Sequence, residues 1–194
     1  MKMHGKQHKQ GGFLSLETLG VLAIIMVAIV LAVGVVSMMF SKSSINDEIS
    51  NVQHMATQSK GLLKTQGEYP FSSAAKMTGA LVQFGGVPGN ITVNGEKSSG
   101  NATLANSWGG QVLVSPEKVQ GSPNNVGFSI TYKSVPQEAC ATMATKLSGS
   151  ALINEVKISG TVNVGRVTAE QAGTQCKADN GSVGLNELVF KSNS

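Results

Sequence analysis

Glu17 is the side chain whose setting most demands an explanation. No other charge occurs between it and Lys42. It stands at the mouth of an apolar run of membrane length, where a lone carboxylate is costly to bury and usually has a function. The structural alternative is a glutamate resting in the headgroup layer. The other reactive groups are Cys140 and Cys176. Two thiols do not make a zinc site, and His4, His8 and His54 lie far from them in the sequence. If this part of the chain is exported, a disulfide is the expected state; two unrelated buried thiols are the alternative. Nothing else has a catalyst's pattern. There is no Ser/His/Asp set with a usable histidine, no phosphate-cradling glycine loop and no metal-ligand spacing. Gly79, Gly85, Gly86 and Gly89 fit no nucleotide fingerprint and are expected in turns. The chain is read as a non-enzyme, with no catalytic residue, cofactor or metal.

The charge balance narrows the partners. Residues 1–12 carry Lys2, Lys6 and Lys9 and no acid, leaving 12 basic against 11 acidic residues in the remainder. The pI of 9.1 therefore reflects the leader. With aromatics at only 5% and no basic stripe among them, direct nucleic-acid binding is not expected.

The elements that must position these groups begin with the apolar run. Residues 18–41 are 24 in number, uncharged and free of proline, and about 20 such residues span a bilayer core. A secretory signal would have a shorter apolar region with its cleavage site after it. Here Gly12–Phe13 precedes the run, so a cut there removes the basic tail and keeps the helix. Lysines on the amino-terminal side fit the positive-inside tendency. Ile45, Ile49, Val52, Ala56 and Leu63 continue at helical spacing, with Asn46, Glu48, Gln53 and Lys60 between them. Gly67 is the expected stop, followed by Pro70. A helix over 13–66 would be roughly 80 Å long at 1.5 Å per residue. The globular head then occupies 67–194.

Within the head, Ser72 is placed to cap a short helix on which Met77, Leu81 and Phe84 share a face, ended by Gly85-Gly86. Residues 67–107 read as an exposed connecting loop, with a small hairpin around residues 91–93. Strands are expected at 111–114, 127–132, 155–159, 161–167 and 185–191. Alternation is clearest at Phe128, Ile130 and Tyr132, and again at Val162 and Val164. Ser134 with Gln137, and Thr168 with Gln171, fit the capping-box pattern, which puts each cysteine on or near a short helix. The economical fold is α+β: an antiparallel sheet packed on the amphipathic half of the long first helix.

Gly12, Phe13, Glu17 and the uncharged helix after them resemble a type IV prepilin. The segments Ser134-Val-Pro-Gln-Glu-Ala-Cys140, Thr168-Ala-Glu-Gln-Ala-Gly-Thr-Gln-Cys176 and Asn106-Ser-Trp-Gly-Gly110 are similar to the type IVb branch of enteric pathogens and conjugative plasmids. The type IVa pattern has a proline where this chain has Gly34, which again agrees with type IVb. The short leader and Phe13 depart from that branch.

The resemblance implies a type IV pilin fold, with the apolar half of the first helix protruding. It implies cleavage between Gly12 and Phe13, N-methylation of Phe13, and removal of leader 1–12. Glu17, fifth in the cleaved chain, would pair with the amino terminus of a neighbouring subunit. Gly34 would loosen the helix or allow a close helix–helix contact. A Cys140–Cys176 disulfide would bound a surface region, 140–176, that meets neighbours and the outside. The implied partners are copies of itself in a helical homopolymer, a prepilin peptidase/methyltransferase, the inner-membrane assembly machinery and the inner membrane, and then host or bacterial surfaces. The implied function is major pilin of a surface filament for adherence, aggregation or conjugative contact. The alternatives are a minor pilin or secretion-system pseudopilin and, in another class, a monomeric membrane-anchored periplasmic binding protein.

Overall fold

The computed structural model describes residues 44–194. Gly12, Phe13, Glu17, Gly34, the leader and the apolar run lie outside the described residues.

Residues 44–58 form helix α1. Ile45, Ile49, Val52, Ala56 and Leu63 are buried as one stripe, joined by Met55, as their spacing requires. Asn46, Gln53 and Lys60 face out. Glu48, expected among them, is fully buried. A π-helical turn over Ser59–Leu63 ends the helix, and Lys64 is already extended. The helix thus stops three residues short of the expected Gln66. Gly67, at φ 88, instead serves a turn in which Thr65 and Glu68 exchange backbone hydrogen bonds. That turn brings Tyr69 inward, edge-on to Phe128 at 5.4 Å. Among the described residues, no helix is long and apolar enough to cross a membrane.

Helix α2 spans Ala74–Gln83, and its cap is Ser73 rather than Ser72, with the Ser73 hydroxyl accepting from Lys76 N. Met77 and Leu81 are buried, but Phe84 is 62% exposed. The reason is local: Gly85 turns left-handed at φ 72, Gly86 N bonds Leu81 O and Gly85 N bonds Val82 O. This Schellman closure leaves Phe84 beyond the last core-facing turn.

Seven antiparallel strands form one sheet in the order β1-β2-β3-β4-β7-β5-β6. They are β1 (Thr92–Asn94), β2 (Thr103–Ala105), β3 (Gln111–Glu117), β4 (Gly127–Val135), β5 (Glu155–Ile158), β6 (Thr161–Val164) and β7 (Asn186–Ser192). The segment read as a loop with a small hairpin around residues 91–93 does carry one, though wider than expected: β1 pairs with β2 across residues 95–102. The last strand in sequence is central, between β4 and β5. Val112, Val114, Phe128, Ile130, Tyr132, Val156, Ile158, Leu188 and Phe190 form the buried face. Helix α2 packs on β3, and helix α3 (Gln137–Leu147) packs on β7 and β5.

The alternation in β6 runs opposite to expectation. Val162 and Val164 are 53% and 81% exposed, while Asn163 is buried. Asn163 donates to Val156 O and exchanges hydrogen bonds with the side-chain amide of Gln175 on α4 (Ala169–Gln175). A polar residue that makes three hydrogen bonds inside outcompetes valines that would leave the Gln175 amide unpaired.

Candidate functional site

The disulfide-bounded region is built from the end of β4 onward. Ser134 adopts φ 55, at a register shift between Tyr132 and Val135, and so caps nothing. Asp179 does that work from 42 positions away: its Oδ1 accepts from Gln137 N at 2.8 Å. A carboxylate at a helix amino end is favoured both by the free N–H groups and by the helix dipole. Gln137 reaches back to donate to Cys176 O. The capping box at Thr168 and Gln171 is present in both directions, and it starts the short α4 whose end presents Cys176. Cys140 and Cys176 are joined, with Cα atoms 6.0 Å apart.

Asn186, which sequence reasoning missed, ties this region to the sheet. Its amide donates to Val135 O and Lys177 O, and its carbonyl accepts from Lys177 N and Ser159 Oγ. All four of its hydrogen-bonding positions are used. Gly184 passes so close that a Cβ there would strike the backbone at Val135 and Pro136. The signal available in the sequence was an asparagine at the head of an apolar strand.

Glu48 forms the second constellation. Its Oε1 accepts from Ser107 N at 2.7 Å and Ser107 Oγ at 2.6 Å. Its Oε2 accepts from Asn51 Nδ2 at 3.0 Å and from the Tyr132 hydroxyl at 3.1 Å. No cation is among these partners, so four donors replace the water a buried carboxylate gives up. Burial pushes the Tyr132 phenol well above its ordinary 10.0, and the charge and hydrogen bond of Glu48 push it the same way. The Asn106–Gly110 turn is shaped for this contact. Asn106 Oδ1 accepts from Trp108 N and Gly110 N, while its amide donates to Lys133 O. The turn before β3 is therefore where α1 is fastened to the sheet.

These groups cap helices and fasten elements to the sheet. Among the described residues, no group of three or more His, Cys, Asp and Glu side chains could hold a metal ion. The predicted site residues divide accordingly: the structure brings Cys140 and Cys176 together, while Gly12, Phe13, Glu17 and Gly34 are outside the described residues.

Comparison with known proteins places this architecture. Residues 42–193 match the family model described as PilS N terminal. The chain is similar to a type IVb pilin from Salmonella typhi in a crystal structure, at 45% identity and TM-score 0.68, covering 77% of this chain and 99% of that one. The NMR structure of the Salmonella typhi type IVb pilin PilS gives 43% identity and TM-score 0.54, covering 77% and 96%. TcpA, a type IV pilin from Vibrio cholerae El Tor biotype, shares the fold at 12% identity and TM-score 0.52, covering 77% and 99%. No curated protein matches.

Proposed function

The chain belongs to the PilS family of type IVb pilins, and on that premise we propose that it is the major subunit of a type IVb-like surface filament. The observation that carries the reading is the order of parts. A pilin head whose α1 is fastened by its apolar stripe and by Glu48 follows directly on a 24-residue uncharged run headed by Glu17. The run favours lipid before assembly and a bundle of like helices after it. A cut between Gly12 and Phe13 frees an amino terminus, which N-methylation leaves cationic. Glu17 of one copy pairs with that terminus in the next. Pairing offsets the cost of the buried carboxylate, and wrong registers leave it unpaired, so the contact sets register. Gly34 gives the helix a point of local looseness or close approach. The partners are the processing peptidase, the inner-membrane assembly machinery and other copies of the chain. The finished filament is extracellular and serves contact with host or bacterial cells.

Mass spectrometry of protein sheared from cells tests this. The expected species is an abundant chain starting at N-methylated Phe13. A chain starting at Met1, or cut after the apolar run, would overturn the processing. A properly processed chain that is scarce in sheared filaments would mark a minor subunit. Glu17→Ala should leave membrane insertion intact and lower filament yield; normal filaments from that variant would remove the pairing role.

A further inference from the structure

We propose that the cleft between α1, the carboxyl end of α3 and the β6–α4 connection is a carboxylate socket, and that it receives the acidic amino end of α3 from a second copy of this chain. The proposal rests on the polymer reading above.

The cleft has a volume of about 440 Å³ and is lined chiefly by Gln53, Thr145, Lys146, Gly149, Ser150 and Arg166, with no acid. Arg166 lies over Gly149, where a Cβ would stand 3.5 Å from Nη2. Among the described residues Arg166 makes no hydrogen bond or ion pair. Lys146 Nζ donates to Asn46 Oδ1 at 3.3 Å, which holds the ammonium at the α1 side of the cleft. Ser150 Oγ accepts from Leu152 N, leaving its O–H free to donate outward. Two cations, an amide and a hydroxyl with no carboxylate among them specify an anion. The exposed guanidinium of Arg166, engaged by nothing within the described residues, matches a planar anion such as a carboxylate.

The same helix carries the complement. α3 has 11 residues, a span of roughly 16 Å. Lys146 stands in its last turn and Glu138 in its first. Asp179 joins Glu138 at the amino end by capping Gln137 N. Glu138 is exposed and has no partner among the described residues. Charges of the opposite sign also stand near each end: Lys133 and Lys177 near the acidic end, and Glu170 and Asp47 near the basic one, Asp47 beside the Asn46 that Lys146 bonds, and none of them lines the cleft. Two different surfaces of opposite charge on one chain, each exposed, are what an open, head-to-tail contact uses. A foreign acidic ligand would account for the cleft but not for the matching acidic end of the same helix. Charges at such a contact select partner and register more than they add affinity.

Carbodiimide coupling of sheared filaments of the full chain, followed by peptide mass spectrometry, tests the socket. The expected product is an inter-chain link from Lys146 to Glu138 or Asp179, absent from dispersed monomers. Lys146→Glu with Arg166→Glu should lower filament yield severalfold at an unchanged level of membrane-held pilin, and adding Glu138→Lys should restore part of that yield. Wild-type cells that make no filaments would overturn the polymer reading and the socket with it. Wild-type filaments with no Lys146 link, or with Lys146 joined to a different acid, would overturn the socket alone. So would a doubly reversed variant that assembles at wild-type yield.

Discussion

Replacing Glu48 by alanine should be among the most damaging single changes in the head. The carboxylate accepts four hydrogen bonds, from Ser107 N, Ser107 Oγ, Asn51 Nδ2 and the Tyr132 hydroxyl. Its residue, like Tyr132, has no solvent exposure. Alanine leaves the buried Tyr132 hydroxyl and the part-buried Ser107 N without their acceptor, at about 1–3 kcal/mol each. Asn51 and the Ser107 hydroxyl can turn toward other partners, so the total is expected at about 3–5 kcal/mol rather than the sum of four bonds. Glutamine keeps one acceptor oxygen for Ser107 and presents an N–H₂ to Tyr132, whose oxygen can accept, so Glu48→Gln should cost about 1–3 kcal/mol. Tyr132→Phe removes one donor and leaves the carboxylate three, at about 1–2 kcal/mol. Urea unfolding of the oxidised head, with midpoint and slope both measured, reads these values. For a domain of this size the alanine variant should melt roughly 6–20 °C lower. An alanine variant within about 1 kcal/mol of wild type would refute the fastening role. So would a glutamine variant as damaged as the alanine one.

Tyr69 and Tyr132 are the only tyrosines, and burial raises both, Tyr69 to about 12. The unfolded chain gives up these protons near 10.0 while the folded chain keeps them. The stability they contribute is therefore complete below pH 10; the Tyr69 part is lost as the pH rises to about 12, and the Tyr132 part as the pH climbs through its raised value. Phenolate absorbance of the folded protein should show no step at pH 10, and an ordinary step there would contradict the packing. Replacing both cysteines by serine should cost about 4 kcal/mol from the loop closed by the bridge, read as a lower urea midpoint that a reductant no longer shifts. Gly79→Ala places a Cβ against the carbonyl oxygen and carbon of Gly100. Backbone atoms cannot swing aside, so a loss of about 1–3 kcal/mol is expected; an unchanged melting temperature would show that the two segments part easily.

What was legible in the sequence was periodic or local. The stripe from Ile45 to Leu63 and the trio Phe128, Ile130 and Tyr132 are read from spacing alone, because burial of one face is what spacing records. The Thr168–Gln171 box is legible because both partners lie within one turn. The reading failed where a partner is remote. Glu48 passes for a solvent residue until Ser107, 59 positions on, and Tyr132, 84 positions on, are brought to it. Ser134 looked like a cap because its true competitor, Asp179, is distant in sequence. Val162 and Val164 gave the wrong face of β6 because the inward claim of Asn163 depends on Gln175, which belongs to another element. The cysteine pair was legible because type and compartment limit what two thiols can do. The socket lined by Lys146 and Arg166 was not, since nothing in a string of residues says that these two share a cleft.

The apolar stripe and Glu48 do different work in holding α1. A stripe at helical spacing is nearly self-similar after one turn, so burial alone opposes a slide of about 5.4 Å only weakly. Hydrogen bonds are not forgiving in that way. The same slide would strip Glu48 of the Ser107 and Tyr132 donors together, leaving it only Asn51 on its own helix and leaving the buried Tyr132 hydroxyl without an acceptor. Burial thus holds α1 to the sheet, and the carboxylate fixes where along the sheet it sits. Glu48 is a carboxylate buried where a single alignment of α1 on the sheet brings it Ser107 and Tyr132 together.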